Sequence, residues 1–192
     1  MTSVWVIDTE TSNTGIWDPE PGGHIVEFGA VSVDLDRQKI GRSYSAVVYD
    51  PHADPNAWVF MNTSLTYSQV MKGVNAENFG NFIAKHLTGQ TVTAYNVAFD
   101  KLMIGRDMPS INKNVTWGPC LMDRASHIDG IPKQHAGRNQ FPTAEASYNY
   151  LCPDDPCGLG GHERHRALDD ARMEAHIMLR LHELGLYDLE ED

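Results

Sequence analysis

Residues 4–11 read Val-Trp-Val-Ile-Asp-Thr-Glu-Thr, an apolar run that ends in two acids. The β-branched and aromatic residues at positions 4–7 predict a buried strand. Side chains alternate along a strand, so the carboxylates of Asp8 and Glu10 point to the same side of the chain. Two like charges side by side repel each other, and a cation between them would remove that cost. The pair suggests a site for a hard metal ion, although a strand that simply ends in a polar turn would look the same.

The composition is that of a soluble globular protein. The chain has 192 residues, 41% hydrophobic and 21% charged, which suits one domain with a substantial core. No apolar run is long enough for a membrane span, and no basic region precedes an apolar stretch at the N-terminus. We therefore expect a cytoplasmic protein without a membrane partner. The formal net charge of -11 would repel nucleic acid, so a polyanionic substrate would need a local basic patch or bound metal ions.

The order of the predicted elements indicates an α/β domain. Strands at 24–34 and 46–49 follow the first one after short connections, which favours an antiparallel meander. A helix at 75–87, a strand at 91–95 and a helix at 98–106 then favour a parallel pairing beneath layers of helices.

No internal repeat or linker divides the chain. We predict loops at 51–61 and 131–140, a short fifth strand at 117–121 and a long closing helix at 167–184. The expected organisation is one domain over residues 1–186, followed by an acidic, solvated tail at 187–192.

Acidic residues recur at two later points of the chain. Asp100 follows the fourth strand at the start of a helix, and Asp170 lies in the first turn of the closing helix with His165 just before it. The helix dipole alone can explain an acid in a first turn. Sites in open α/β sheets form beyond the strand ends, however, and parallel pairing of the first and fourth strands would place Asp100 near Asp8 and Glu10.

The cysteines allow a different interpretation. Their number is three, which gives no sign of a disulfide framework. Cys152, Cys157, His162 and His165 occur in a zinc-like order with wide gaps, so a zinc-binding interaction domain is one alternative.

Three motifs in order resemble those of the DEDDh, or DnaQ-like, 3′–5′ exonucleases. They are Asp8-Thr-Glu10-Thr11, Asn96-Val-Ala-Phe99-Asp100 and His165-Arg-Ala-Leu-Asp-Asp170-Ala. A histidine five residues before Asp170 is typical of this branch, whereas the sister branch has a tyrosine four residues before the final acid. The resemblance implies a ribonuclease H-like α/β fold, with a central mixed five-stranded sheet whose first three strands are antiparallel and which is flanked by helices.

The resemblance also implies an activity, the hydrolysis of phosphodiester bonds with two divalent ions, Mg²⁺ or Mn²⁺. The substrate would be the 3′ end of single-stranded DNA or RNA, with DNA slightly favoured, and the product a 5′-nucleoside monophosphate. By the family pattern, Asp8 bridges both ions, Glu10 and Asp170 bind the ion that carries the nucleophilic water, and Asp100 supports the second ion. His165 is the general base for that water.

Substrate contacts are less well specified by the resemblance, because Ser12-Asn13 are inserted after the first motif. We expect contacts from Thr11, Trp17, Asn96, Phe99 and Arg166. Further basic candidates for phosphate contacts are Lys72, Lys101, Arg106, Lys133 and Arg138. An oligoribonuclease-like exoribonuclease and a non-catalytic, nucleic-acid-binding or polymerase-associated module are the alternatives. A DNA polymerase or a repair protein is a possible partner. The oligomeric state, monomer or homodimer, stays open.

Overall fold

The computed structural model describes residues 3–13, 23–136 and 139–189. The strands of its main sheet are β1 (Ser3–Thr11), β2 (Ile25–Asp34), β3 (Lys39–Val47), β4 (Thr91–Thr93) and β5 (Thr116–Trp117). They lie in the order β3-β2-β1-β4-β5. β1 pairs antiparallel with β2 and parallel with β4, and β2 pairs antiparallel with β3. The predicted mixed five-stranded sheet is confirmed, and the apolar run at 4–7 lies in its central strand.

Helices flank this sheet on both faces. In the described part of the chain they are α1 (Trp58–Asn62), α2 (Tyr67–Val70), α3 (Ala76–Leu87), α4 (Val97–Asp107), α5 (Pro109–Asn112), α6 (Leu121–Ser126), α7 (Ala144–Leu151) and α8 (Ala167–Glu183). Asn75, Asn96 and Thr143 begin α3, α4 and α7 by accepting a backbone N–H, as N-cap residues do. None of the described helices has the length and apolarity needed to cross a bilayer.

The two faces of β1 pack against different helices. Positions 4 and 6 lie in an apolar cluster with residues of α7 and α8, whereas positions 5 and 7 pack with residues of α3 and α4. Because side chains alternate along a strand, Asp8 and Glu10 continue the row that faces α8. Thr9 continues the row that faces α4.

Two segments predicted as loops contain regular structure. Within 51–61, α1 begins at Trp58 and buries Val59 in a small apolar cluster. Within 131–140, the strands β6 (Lys133–Ala136) and β7 (Asn139–Pro142) pair antiparallel. These two predictions were wrong, because α1 is too short for a helical period and the hairpin lacks the apolar alternation that marks a strand.

Two boundaries also differ from the prediction. β3 begins at Lys39 instead of position 46, and most of its side chains are exposed or half-buried, so its hydrophobic pattern is weak. Tyr187 was assigned to the acidic tail, but it is 1% exposed and packs in the cluster that contains α8. The packed domain therefore extends past residue 186.

Candidate active site

The site is built around the end of β1, where Asp8 and Glu10 face the first turn of α8. Asp170 lies in that turn, and one oxygen of Asp170, one oxygen of Glu10 and a ring nitrogen of His165 lie within 4.8 Å of one another. Asp170 also accepts two backbone N–H bonds, of 3.1 and 3.0 Å, from residues just before the helix. These bonds orient its carboxylate, so the first and third motifs meet at one place.

A glycine in β2 allows α8 to approach β1 closely. Gly29 lies opposite Asp8 in the sheet, and a Cβ atom at Gly29 would lie 2.2 Å from the carbonyl oxygen of Ala167. Glu27, also in β2, accepts three bonds from the guanidinium of Arg166, at 2.6, 2.9 and 3.1 Å, and one from the Ala167 N–H at 3.1 Å. The start of α8 is thus fixed against β2. Sequence reasoning assigned no such role to either β2 residue, since each occurs inside an ordinary strand pattern.

The second motif reaches the site from the other face of β1. Asn96 caps α4 by accepting the Phe99 N–H, and Asp100 lies in the first turn of that helix. The hydroxyl of Thr9 donates a 2.8 Å hydrogen bond to Asp100. Because Thr9 stands between the two carboxylates of β1, this bond sets the position of Asp100 relative to them. β1 and β4 are parallel neighbours, which is the arrangement expected to bring the second motif here.

His165 lies just before α8 and has a φ of 49°, a left-handed conformation that is uncommon for residues other than glycine. Its ring packs against the indole of Trp58, with ring centroids 5.0 Å apart and ring planes at 85°. Trp58 is 53% exposed and begins α1. The sequence contained no signal for this contact, because a lone aromatic residue far from the third motif has no periodic pattern to place it.

Burial and mutual repulsion raise the pKa of the carboxyl groups at this site. Burial raises the pKa of Glu10 to about 8, and repulsion from Asp170 adds to the effect. Burial raises the pKa of Asp100 to about 7, although the bond from the threonine hydroxyl acts to lower it. The pKa of Asp8 lies well above its usual range, first through burial and then through repulsion from Glu174. Glu174 belongs to α8 and was not among the predicted residues.

This donor set suits a divalent cation. Carboxylate oxygens are the ligands that Mg²⁺ prefers, and a cation would favour the ionised forms that burial disfavours. One oxygen of Asp8 is buried and has no hydrogen-bond donor among the described residues. A buried acceptor of this kind is costly unless a ligand occupies it. Asp8, Glu10 and Asp170 could hold the ion, and Asp100 approaches the same site from the other face of β1.

The predicted substrate contacts lie in different surroundings. Thr11 and Trp58 line a pocket of about 250 Å³. Phe99 is half-buried against the core, and Asn96 is exposed with its side chain oxygen engaged at the cap of α4. Trp17 lies outside the described residues.

Two of the predicted phosphate-binding arginines are engaged elsewhere. Arg166 pairs with Glu27 and also donates a 3.0 Å bond to Ser64. Its guanidinium holds the start of α8 against β2, and its contact with substrate stays a prediction. Arg106 bonds to its neighbour Asp107 and to a backbone carbonyl. Arg138 lies outside the described residues, and Lys72, Lys101 and Lys133 are exposed.

The cysteines do not form a ligand cluster. Cys152 is buried in the apolar core, and the ring of His162 lies 3.3 Å from Glu145. The N–H of Cys157 donates to the hydroxyl of Tyr148. Over the described residues, the one group of close metal-ligand side chains is that of the first and third motifs. The zinc-binding alternative thus has no geometric support.

Comparison with known proteins assigns the family. The model of the RNase T exonuclease family matches residues 5–178. The chain belongs to this exonuclease family. Its four motif acids and its histidine place it in the DEDDh, DnaQ-like branch, on a ribonuclease H-like fold. Families of this kind use divalent metal ions.

Individual relatives are distant. The DNA polymerase III subunit epsilon of Rickettsia prowazekii (strain Madrid E) is 23% identical over 176 residues, which are 92% of this chain and 72% of that protein. The crystal structure of E. coli Exonuclease I in complex with a dA16 oligonucleotide has a TM-score of 0.66 at 15% identity, over 98% of this chain and 42% of that one. The nuclease domain of 3'hExo, a DEDDh family member, bound to rAMP has a TM-score of 0.55 at 17% identity, over 99% and 96%.

The solved structures thus share the fold of this chain. Some of them are considerably longer, since the chain spans 62% of a full-length 3'-exonuclease as well as 42% of Exonuclease I.

Proposed function

We propose that the protein is a 3′–5′ exonuclease that removes 5′-nucleoside monophosphates from single-stranded nucleic acid, with DNA slightly favoured over RNA. The observation that carries this proposal is the convergence of Glu10, His165 and Asp170 within 4.8 Å beside the orphaned oxygen of Asp8. An imidazole next to clustered carboxylates provides a proton acceptor near neutral pH beside a cation site.

Two divalent ions, Mg²⁺ or Mn²⁺, would stabilise the attacking and leaving oxygens of the phosphodiester. Asp8, Glu10, Asp100 and Asp170 would hold them. His165 accepts the proton of the attacking water on an imidazole nitrogen as the oxygen–phosphorus bond forms. The bond from phosphorus to the 3′ oxygen of the preceding nucleotide then breaks, and that oxygen takes a proton from solvent. The new 3′ hydroxyl becomes the end of the shortened strand.

Several groups of the chain position these residues. Thr9 holds Asp100 by its hydroxyl bond, and the two backbone amides before α8 orient Asp170. The indole of Trp58 packs against the ring of His165. This contact restricts the position of the His165 ring, one nitrogen of which lies within 4.8 Å of oxygens of Glu10 and Asp170.

The pocket of about 250 Å³ beside the carboxylates is the place that we propose for the terminal nucleoside. Thr11 and the half-exposed indole of Trp58 both form part of its wall. An exposed aromatic ring can stack on any base, because every base has a π-face. This arrangement supports a substrate with an unpaired 3′ end.

The relatives bear on the choice of sugar and partner. A DNA polymerase subunit is among the curated relatives, and Exonuclease I was crystallised with a dA16 oligonucleotide. These two relatives favour DNA as the substrate and a DNA polymerase as a partner. The rAMP bound to 3'hExo is the observation that keeps an exoribonuclease as the second candidate.

The test uses single-stranded DNA and RNA of the same sequence, labelled at the 5′ end, with Mg²⁺ or Mn²⁺. We expect stepwise shortening of the labelled strand, faster for DNA, which EDTA and Asp8→Asn both abolish. Glu183→Asn, at an exposed acid of α8 far from the site, is the control and should act as wild type. Early release of the labelled nucleotide would contradict the 3′–5′ direction. No shortening of either strand would contradict the proposed activity.

A further inference from the structure

Glu174 is a buried acid that the three exonuclease motifs do not include. It lies in α8 four residues after Asp170, and therefore one turn further along the same face of the helix. It is 4% exposed. Among the described residues, its hydrogen-bond donor is the backbone N–H of Tyr95, at 3.2 Å from Oε2. A glutamate is rarely buried in a protein without an opposite charge or several hydrogen bonds to offset the loss of hydration.

The charges that act most strongly on Glu174 are negative. Repulsion comes from Asp100, Asp170 and Glu163, in that order. Glu174 in turn exerts the largest repulsion on Asp8 of any neighbouring carboxylate. The strongest charge effects on Glu174 therefore come from other acids. A divalent cation near Asp8 would convert these repulsions into attractions, which are strong where water is excluded.

We propose that Glu174 is a fifth carboxylate of the divalent-cation centre, which it faces directly or across one water molecule. The buried oxygen of Asp8 that has no hydrogen-bond donor independently points to a cation on this side of the site. The inference rests on the proposed metal-dependent function. It adds a residue from the second turn of α8 to a ligand set otherwise drawn from the ends of strands and the first turns of helices.

A purely structural role is the competing explanation. Glu174 accepts the N–H of Tyr95, just beyond the end of β4, and a glutamine could accept the same bond through its amide oxygen. The two explanations therefore differ in whether the negative charge matters. Glu174→Gln removes the charge and keeps the shape and the acceptor.

Isothermal titration of the full chain with MnCl₂, without nucleic acid, measures whether the charge of Glu174 contributes to metal affinity. We expect Glu174→Gln to bind Mn²⁺ at least about tenfold more weakly than wild type, the lower end of the effect usual for groups that support metal ligands. The matched control is Glu183→Gln, an equal charge change at an exposed position of the same helix, which should bind as wild type. Wild-type affinity in Glu174→Gln would overturn the inference.

The outcomes separate this inference from the proposed function. If the wild-type chain binds no Mn²⁺, the metal-dependent function itself fails. If wild type binds and Glu174→Gln binds equally well, only the role of Glu174 fails. A crystal structure of wild type with Mn²⁺ provides a second test that needs no variant. An ion more than about 5 Å from both Glu174 oxygens, beyond the reach of one bridging water, would exclude the role.

Discussion

The close approach of α8 to the sheet makes Gly29 a sensitive position far from any reacting atom. In Gly29→Ala the new methyl carbon would lie 2.2 Å from the Ala167 carbonyl oxygen and 2.3 Å from its carbon. Both are backbone atoms, so the start of α8 must retreat by about 1 Å, and a misplacement of that size can cost about 100-fold in rate. The strain should also lower the free energy of unfolding by about 1–3 kcal/mol, as overpacking does. For a chain of this length that corresponds to a melting temperature lower by about 2–12 °C.

The rate loss should come from displaced ligands and not from unfolding. We expect Gly29→Ala to melt cooperatively well above the assay temperature, yet to shorten 5′-labelled DNA about 100-fold more slowly and to bind Mn²⁺ more weakly. Gly41→Ala is the control in the adjacent strand, since its methyl group would meet only the rotatable hydroxyl of Ser32, at 2.7 Å. It should retain full activity. A Gly29→Ala enzyme with the wild-type rate would refute the argument that this contact sets the position of Asp170.

Three further predictions concern the carboxylates and the general base. Because burial raises the pKa of Glu10 to about 8 and that of Asp100 to about 7, the folded protein binds more protons than the unfolded chain between about pH 4 and about pH 8. Without metal it should lose stability as the pH rises across this range, by at most about 1.4 kcal/mol per pH unit for each group. Urea unfolding in EDTA at pH 5.5 and 8.5 measures this, and equal or greater stability at pH 8.5 would contradict it. Thr9→Val removes the bond to Asp100, so Mn²⁺ affinity should fall about tenfold, whereas Thr9→Ser should keep it. Trp58→Ala removes the aromatic contact with His165, worth about 0.5–1.5 kcal/mol, so kcat should fall about two- to tenfold. Trp58→Phe should retain most of the wild-type kcat. An unchanged kcat in Trp58→Ala would argue against a positioning role for Trp58.

The motif residues could be predicted because their positions follow from local rules. Alternation along β1 places Asp8 and Glu10 on one face, and the parallel pairing of β1 with β4 brings the second motif to the same edge. The long helix likewise appears at its predicted place, with Asp170 in its first turn. Each of these inferences depends on a period or on a strand end, and both can be read from a single sequence.

The supporting residues could not be predicted because they act through tertiary contacts. Glu27 looks like a half-buried strand acid until the guanidinium of Arg166 is placed beside it. Gly29 matters only because the backbone of α8 passes over it. Trp58 packs against His165 from a helix distant in the chain, and Glu174 accepts the N–H of Tyr95 from beyond the end of β4. Neither residue belongs to a motif. The residue pattern within one strand or helix does not predict which other element packs against it.

The place of β1 in the sheet has a consequence for how the protein is made. β1, β2 and β3 can form as a local meander, but one edge of β1 pairs with β4, and the face that carries Asp8 is covered by α8. During synthesis the meander therefore appears before α8, with one edge of β1 unpaired and two uncompensated acids, because contacts this distant in sequence form slowly. An exposed strand edge promotes association with other chains. Repulsion between the carboxylates of two nascent chains then opposes this association, because pairing two such edges would bring four carboxylates together before α8 covers them.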